Sequence, residues 1–152
     1  MDETLRNAVM EELVEKPFID RLGLTESHFY GAVVQANDKL AAGDAMGALE
    51  DFSKLVLISP ESASFQVGLA EAAIAAGMVD LGLQAASAVI MLEPQQPEGY
   101  FHSGKACFLM QEYALAIEDL TDAIAKCGTD TGYSDMIKAC RALIIQAEAK
   151  AN

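Results

Sequence analysis

The chain has no tryptophan, and aromatic residues make up only 7% of its 152 residues. Strands draw their packing from aromatic and β-branched side chains, so this shortage, beside abundant alanine, points to closely packed helices. Positive charge is also scarce: 10 Lys and Arg stand against 23 Asp and Glu, for a net charge of −13. Such a chain repels phosphate backbones and anionic bilayers, which excludes nucleic acid and direct membrane binding as first readings. The three cysteines, Cys107, Cys127 and Cys140, are widely spaced with no CxxC pair, so they read as reduced thiols of a cytoplasmic protein. His28 and His102 complete no converging ligand set, and no metal is expected. The longest apolar run, Leu81 to Leu92, is broken by Gln84 and too short to cross a bilayer. The opening Met1-Asp2-Glu3-Thr4 is acidic where a secretory signal is basic. Catalytic signatures are missing too: there is no GxSxG, P-loop, GxGxxG or HExxH. The pairs Glu11-Glu12 and Glu118-Asp119 diverge by about 100° on a helix and read as solvated faces. His102 reads as a packing or surface residue. No enzymatic activity and no cofactor are expected.

What is present is a period. Pro60 and Pro94 lie 34 residues apart, as do Gly43 and Gly77, with Gln111 at the next step. Ala48, Gly82 and Ala116 form a column of small residues, and Ala36, Ala70 and Gly104 form another. Three blocks follow, 29–62, 63–96 and 97–130. Gly43 and Gly77 mark the C-terminus of a first helix in their blocks. A second helix starts within a few residues and stops before the proline, which cannot continue it. Small residues recur because only they let two crossing helix backbones approach closely. Phe52, Leu55, Leu69, Val89, Tyr100, Leu120 and Ile124 fill the space around them.

The flanks are helical as well. In 1–28, Leu5, Val9 and Leu13 share a helical face, Pro17 breaks the segment, and Phe18, Ile19 and Leu22 follow. This N-terminal arm is expected to self-associate through Leu5, Val9, Leu13 and Phe18, giving a homodimer, because monomers rarely leave such a stripe bare. Thr25 offers an N-cap to the first block. In 131–152, Met136, Ile137, Cys140, Leu143, Ile144 and Ala147 form one stripe behind a candidate cap at Ser134, as a capping helix requires. Negative charge is spread over every segment except this last one.

The pattern resembles the tetratricopeptide repeat (TPR), whose period is 34. The third block departs from it, with Gln111 in place of glycine and Gly128 in place of proline. The resemblance implies an all-α solenoid of three helix-turn-helix repeats between an N-terminal helical arm and a C-terminal capping helix. It also implies a concave groove lined by the first helix of each repeat. The groove residues are then Tyr30, Val33, Asn37 and Leu40, followed by Ser64, Val67, Glu71 and Ile74, and by Glu98, Phe101, Lys105 and Phe108. Such a set suits an extended peptide anchored by apolar side chains, with Asn37 and Lys105 free to bond its backbone. TPR co-chaperones that clamp a C-terminal carboxylate use basic residues where this chain has Val33, Glu98 and His102. Of the clamp positions only Asn37 fits, and Glu98 repels a carboxylate.

The whole chain is similar to the small TPR chaperones of type III secretion translocators, the class II secretion chaperones. Ile90-Met91, Tyr100-Phe101-His102 and Phe65-Gln66-Val67-Gly68-Leu69 carry the likeness, as does the missing proline after the third repeat. The resemblance implies a bacterial cytoplasmic chaperone that holds hydrophobic translocator proteins through an extended segment in its groove, keeping them soluble before export. A generic TPR scaffold that binds a peptide of another assembly is the alternative.

Overall fold

The computed structural model describes residues 18–151, with Phe18 and Ile19 described as backbone alone. Leu5, Val9, Leu13 and Pro17 lie outside the described residues, and Phe18 begins a short helical turn, Phe18–Arg21. No strand occurs among the described residues. Seven longer helices follow: α1 (Tyr30–Ala41), α2 (Ala45–Ile58), α3 (Ala63–Ala75), α4 (Val79–Leu92), α5 (Pro97–Leu109), α6 (Tyr113–Cys127) and α7 (Ser134–Ala151).

The same turn closes each pair. After α1, Gly43 takes φ +85°, its N–H bonds the Leu40 carbonyl, and Asp44 N–H reaches back to Lys39 O at 2.8 Å. The turn after α3 repeats this with Gly77 at φ +80° and Met78 N–H on Ala73 O. The third repeat makes the same two bonds with Gln111 at φ +65° and Glu112 N–H on Cys107 O. This six-to-one bond satisfies carbonyls that the helix end leaves open. The glycine missing from the sequence pattern therefore changes the residue, not the turn.

The other junctions use proline. Helices α2 and α4 end two residues before Pro60 and Pro94. Side chains of the following helix pin both turns at equivalent places: Gln66 Nε2 donates to Pro60 O at 2.9 Å, and the Tyr100 hydroxyl donates to Pro94 O at 3.1 Å. Ser62 Oγ accepts from Phe65 N–H and opens α3, Asp44 opens α2 by accepting from Gly47 N–H, and Pro97 stands in the first turn of α5. At the start of the array, Thr25 N–H donates to His28 Nδ1 across a short 3-10 turn, Glu26–Phe29. Before α7 the chain differs from expectation. Ser134 is the first residue of the helix, and the cap is Asp130, which accepts from Gly132 N–H ahead of a 3-10 turn, Thr131–Tyr133.

Each helix packs on its neighbours in sequence, and the first helices also meet their next-but-one neighbours more closely than the second helices do: α1 touches α3, α3 touches α5, and α5 touches α7. A stack in which one helix of each pair is in mutual contact must curve toward that helix. The inner face is therefore carried by α1, α3, α5 and α7, and α7 takes the place of the first helix of a fourth repeat. The small columns sit at the crossings: Ala36, Ala48, Ala70 and Ala116 have no exposed surface. A Cβ on Gly104 would stand 2.6 Å from Leu120 Cγ and 3.2 Å from Leu120 N, and one on Gly82 would stand 2.6 Å from Ile74 Cγ1. Around Phe52, Leu55, Phe65 and Leu69 a first core joins α1 to α4. A second, around Leu120, Ala123 and Cys140, joins the third repeat to α7.

Candidate functional site: the inner groove

Two adjoining cavities open on the inner face. The first, about 490 Å³, is lined by Val33 and Asn37 of α1, by Ala63, Ser64, Val67, Gly68 and Glu71 of α3, by Phe52 of α2, and by Glu26, Glu93 and Glu98. The second, about 350 Å³, is lined by Asn37, Leu40, Ala41, Glu71, Ile74, Ala75 and Lys105. Asn37 and Glu71 border both, so the cavities form one groove across α1, α3 and α5, the first toward the N-terminal ends of these helices and the second toward their C-terminal ends.

Of the residues expected in the groove, this arrangement brings together Val33, Asn37, Leu40, Ser64, Val67, Glu71, Ile74, Glu98 and Lys105. Three others stand apart from the cavities. Tyr30 is 72% exposed at the N-terminal end of α1. Phe101 is half-buried against the second core and lies 5.2 Å from the His102 ring. Phe108 meets Tyr113 edge-on at 5.7 Å and carries the Lys150 amine of α7 5.3 Å above its ring. The capping helix occupies the inner face beside these two phenylalanines, and their rings serve packing there. Lys105 holds its amine 5.2 Å from the Phe101 ring, at the far end of the groove.

Glu26, Phe52, Gly68 and Glu93 were not on the expected list. Phe52 is fully buried yet floors the first cavity, because Gly68 has no Cβ; one there would collide with the Phe52 ring. The column Val34, Gly68 and His102 held that signal, since glycine appears only where a ring from the second helix reaches through.

Behind the groove lies a buried polar cluster. Ser103 Oγ donates to Asp119 Oδ2 at 2.6 Å, with Cys107 Sγ 3.9 Å from the same oxygen. Burial raises the Asp119 pKa above the usual carboxylate range. Asp119 is thus half-buried and bonded, which corrects its reading as a solvated residue. His102 is 5% exposed and its Nδ1 has no partner; burial, and secondarily the Lys105 charge, push its pKa down to about 4. All three cysteines are buried and free, and burial pushes the Cys140 thiol up to about 11. Among the described residues no group of His, Cys, Asp and Glu could hold a metal ion. No helix among them is long and apolar enough to cross a membrane.

Neither a protein-family model nor a curated relative matches the chain in sequence. Solved structures match in fold. The type III secretion translocator chaperone SycD of Yersinia enterocolitica superposes with a TM-score of 0.77 at 17% identity, over 84% of this chain and 88% of that one. PcrH in complex with the chaperone-binding region of PopD gives 0.76 at 18% identity, over 86% and 98%. The TPR2B domain of yeast Sti1, in a complex with pHsp70, gives 0.71 at 19% identity, over 79% and 95%. The fold is a TPR solenoid, similar to that of the class II secretion translocator chaperones.

Proposed function

We propose that this chain is a chaperone of type III secretion translocators. It holds an extended segment of a hydrophobic translocator protein in the inner groove and keeps that client soluble in the bacterial cytoplasm before export. One observation carries the reading: the α1–α3–α5 face leaves an open groove over Val33, Phe52, Val67 and Ile74, in a fold shared with chaperones solved with translocator segments. A translocator has membrane-seeking surface that aggregates in water. Covering it by binding alone needs no nucleotide, and negative charge on the exterior discourages association between loaded complexes. The carboxylate-clamp reading is disfavoured, because Glu98 and three further carboxylates border the cavity where a clamp needs positive charge.

The test is co-expression with hydrophobic candidate subunits encoded beside the gene, scored by the soluble fraction of the client. Wild type is expected to keep its client soluble. Val67→Arg, which fills the first cavity, is expected to lose at least tenfold in client affinity, about 1.4 kcal/mol, with its circular dichroism spectrum unchanged. Equal solubilisation by both proteins would move the binding surface out of the groove.

A further inference from the structure

The rim of the first cavity carries four carboxylates from four separate elements: Glu26 in the turn before α1, Glu71 on α3, Glu93 after α4 and Glu98 at the start of α5. Two of them accept hydrogen bonds from neutral hydroxyls, Glu26 from Ser64 at 3.5 Å and Glu98 from Tyr133 at 3.1 Å. The ion pairs Lys39–Asp51, Lys54–Glu50 and Lys138–Asp135 all lie off this rim. Among the described residues that line the two cavities the one cation is Lys105, in the second. A purely apolar segment laid over Val33 and Val67 would strip water from these carboxylates with nothing in return, and uncompensated desolvation of charge is costly.

Building on the groove reading above, we infer that the captured segment is basic as well as apolar: a lysine or arginine seats among Glu26, Glu71, Glu93 and Glu98 while neighbouring apolar side chains cover Val33 and Val67. The same charges set direction. The basic residue lies toward the N-terminal end of α5, beside Glu98, and a carbonyl or carboxylate of the segment meets Lys105 farther along the same helix. Glu98 and Lys105 stand seven residues apart on α5, about 10 Å at a rise of about 1.5 Å per residue, and an extended chain advances about 3.3–3.6 Å per residue. The two features of the segment are therefore about three residues apart. The net charge of −13 adds long-range attraction for such a segment. This revises the expectation of mainly apolar contacts, since binding then weakens as salt rises.

The experiment is selection of random dodecapeptides displayed on phage against the full-length protein, with Val67→Arg and the triple variant Glu26→Gln/Glu71→Gln/Glu93→Gln as counter-targets. All three acidic side chains are exposed, so the triple variant keeps the fold, which circular dichroism checks. Peptides that need an open groove are expected to carry a lysine or arginine beside apolar anchors. Replacing that residue by methionine is expected to weaken binding about tenfold at low salt, a difference that shrinks at about 0.5 M salt. The triple variant is expected to show no such preference. Groove-dependent peptides that are neutral or acidic, or a methionine peptide that binds equally, overturn the charge inference and leave the groove reading standing. Selection of the same peptides by Val67→Arg overturns the groove reading and this inference with it.

Discussion

His102 shows what a single residue does when a repeat buries it. Its ring lies between α5 and its neighbours, 5% exposed, with an unpartnered Nδ1 and the Lys105 charge close by. The folded state therefore resists protonation, with a pKa of about 4 against an ordinary 6.5, while the unfolded chain accepts the proton freely. The sign follows: stability from neutral His102 is fully present above pH 6.5 and is lost as pH falls toward 4. One pKa unit corresponds to about 1.4 kcal/mol, so the loss amounts to about 3 kcal/mol at most. Asp119 works the other way, because burial raises its pKa and acid then favours the folded state. Comparing urea denaturation of wild type with His102→Leu from pH 7 to pH 4 isolates the histidine, since Asp119 is common to both. The wild type is expected to lose stability relative to the variant across that window, and parallel profiles would mean that the ring reaches water. The sequence reading left His102 between surface and packing, and it placed Asp119 in solvent on the strength of the adjacent Glu118. A helical period fixes which face a residue occupies, but not that Ser103 on the neighbouring helix would reach across to a carboxylate.

At the scale of helices and turns the sequence was most legible, because turn chemistry is local. Gly43, Gly77, Pro60 and Pro94 each stand where a helix must end, and the structure ends helices there. Gln111 was read as a departure, yet it adopts the same left-handed backbone and makes the same pair of bonds as its glycine counterparts. The repeat imposes the turn, and the residue bears the strain. A side chain in that region costs about 1–2 kcal/mol, while glycine loses about 0.5–1 kcal/mol more entropy on folding. Gln111→Gly is therefore expected to stabilise the protein by about 0.5–1 kcal/mol, raising the melting temperature by about 1–4 °C. Thermal unfolding followed by circular dichroism checks this, and a lower melting temperature would show that the glutamine side chain contributes a contact worth more than the strain. The junction before α7 was less legible, because the 3-10 turn Thr131–Tyr133 moves the cap from Ser134 back to Asp130. A cap is chosen by where the preceding helix delivers the chain, which no window of sequence reports.

For the whole molecule, the two ends of the solenoid are finished differently. At the C-terminal end α7 covers the last repeat, burying Cys140 and Ala147 and drawing Met136, Leu143 and Ile144 onto Leu120. At the other end α1 buries only Ala36 completely, whereas α3 is buried at most positions from Phe65 to Ile74. Leu22, Tyr30 and Val34 remain exposed there, an apolar end face with no counterpart of α7 over it among the described residues. The groove was legible in outline for a related reason. A repeat places Val33, Asn37, Val67 and Glu71 in register, but only the assembled stack shows that α7 takes Phe101 and Phe108 into packing and that Phe52 floors a cavity. An uncovered end attracts a like surface, and the stripe Leu5, Val9 and Leu13 lies just before it in sequence, so we expect two copies to associate through this end. Deleting residues 1–22, or replacing Tyr30 and Val34 together by glutamate, is expected to halve the mass measured by sedimentation equilibrium at tens of micromolar, with helicity retained. The paired substitution touches none of the residues lining the two groove cavities, so client binding should survive it at unchanged affinity per chain. A full-length protein that already sediments as a monomer at that concentration would refute self-association and leave the end face to the chain's own first residues or to the client.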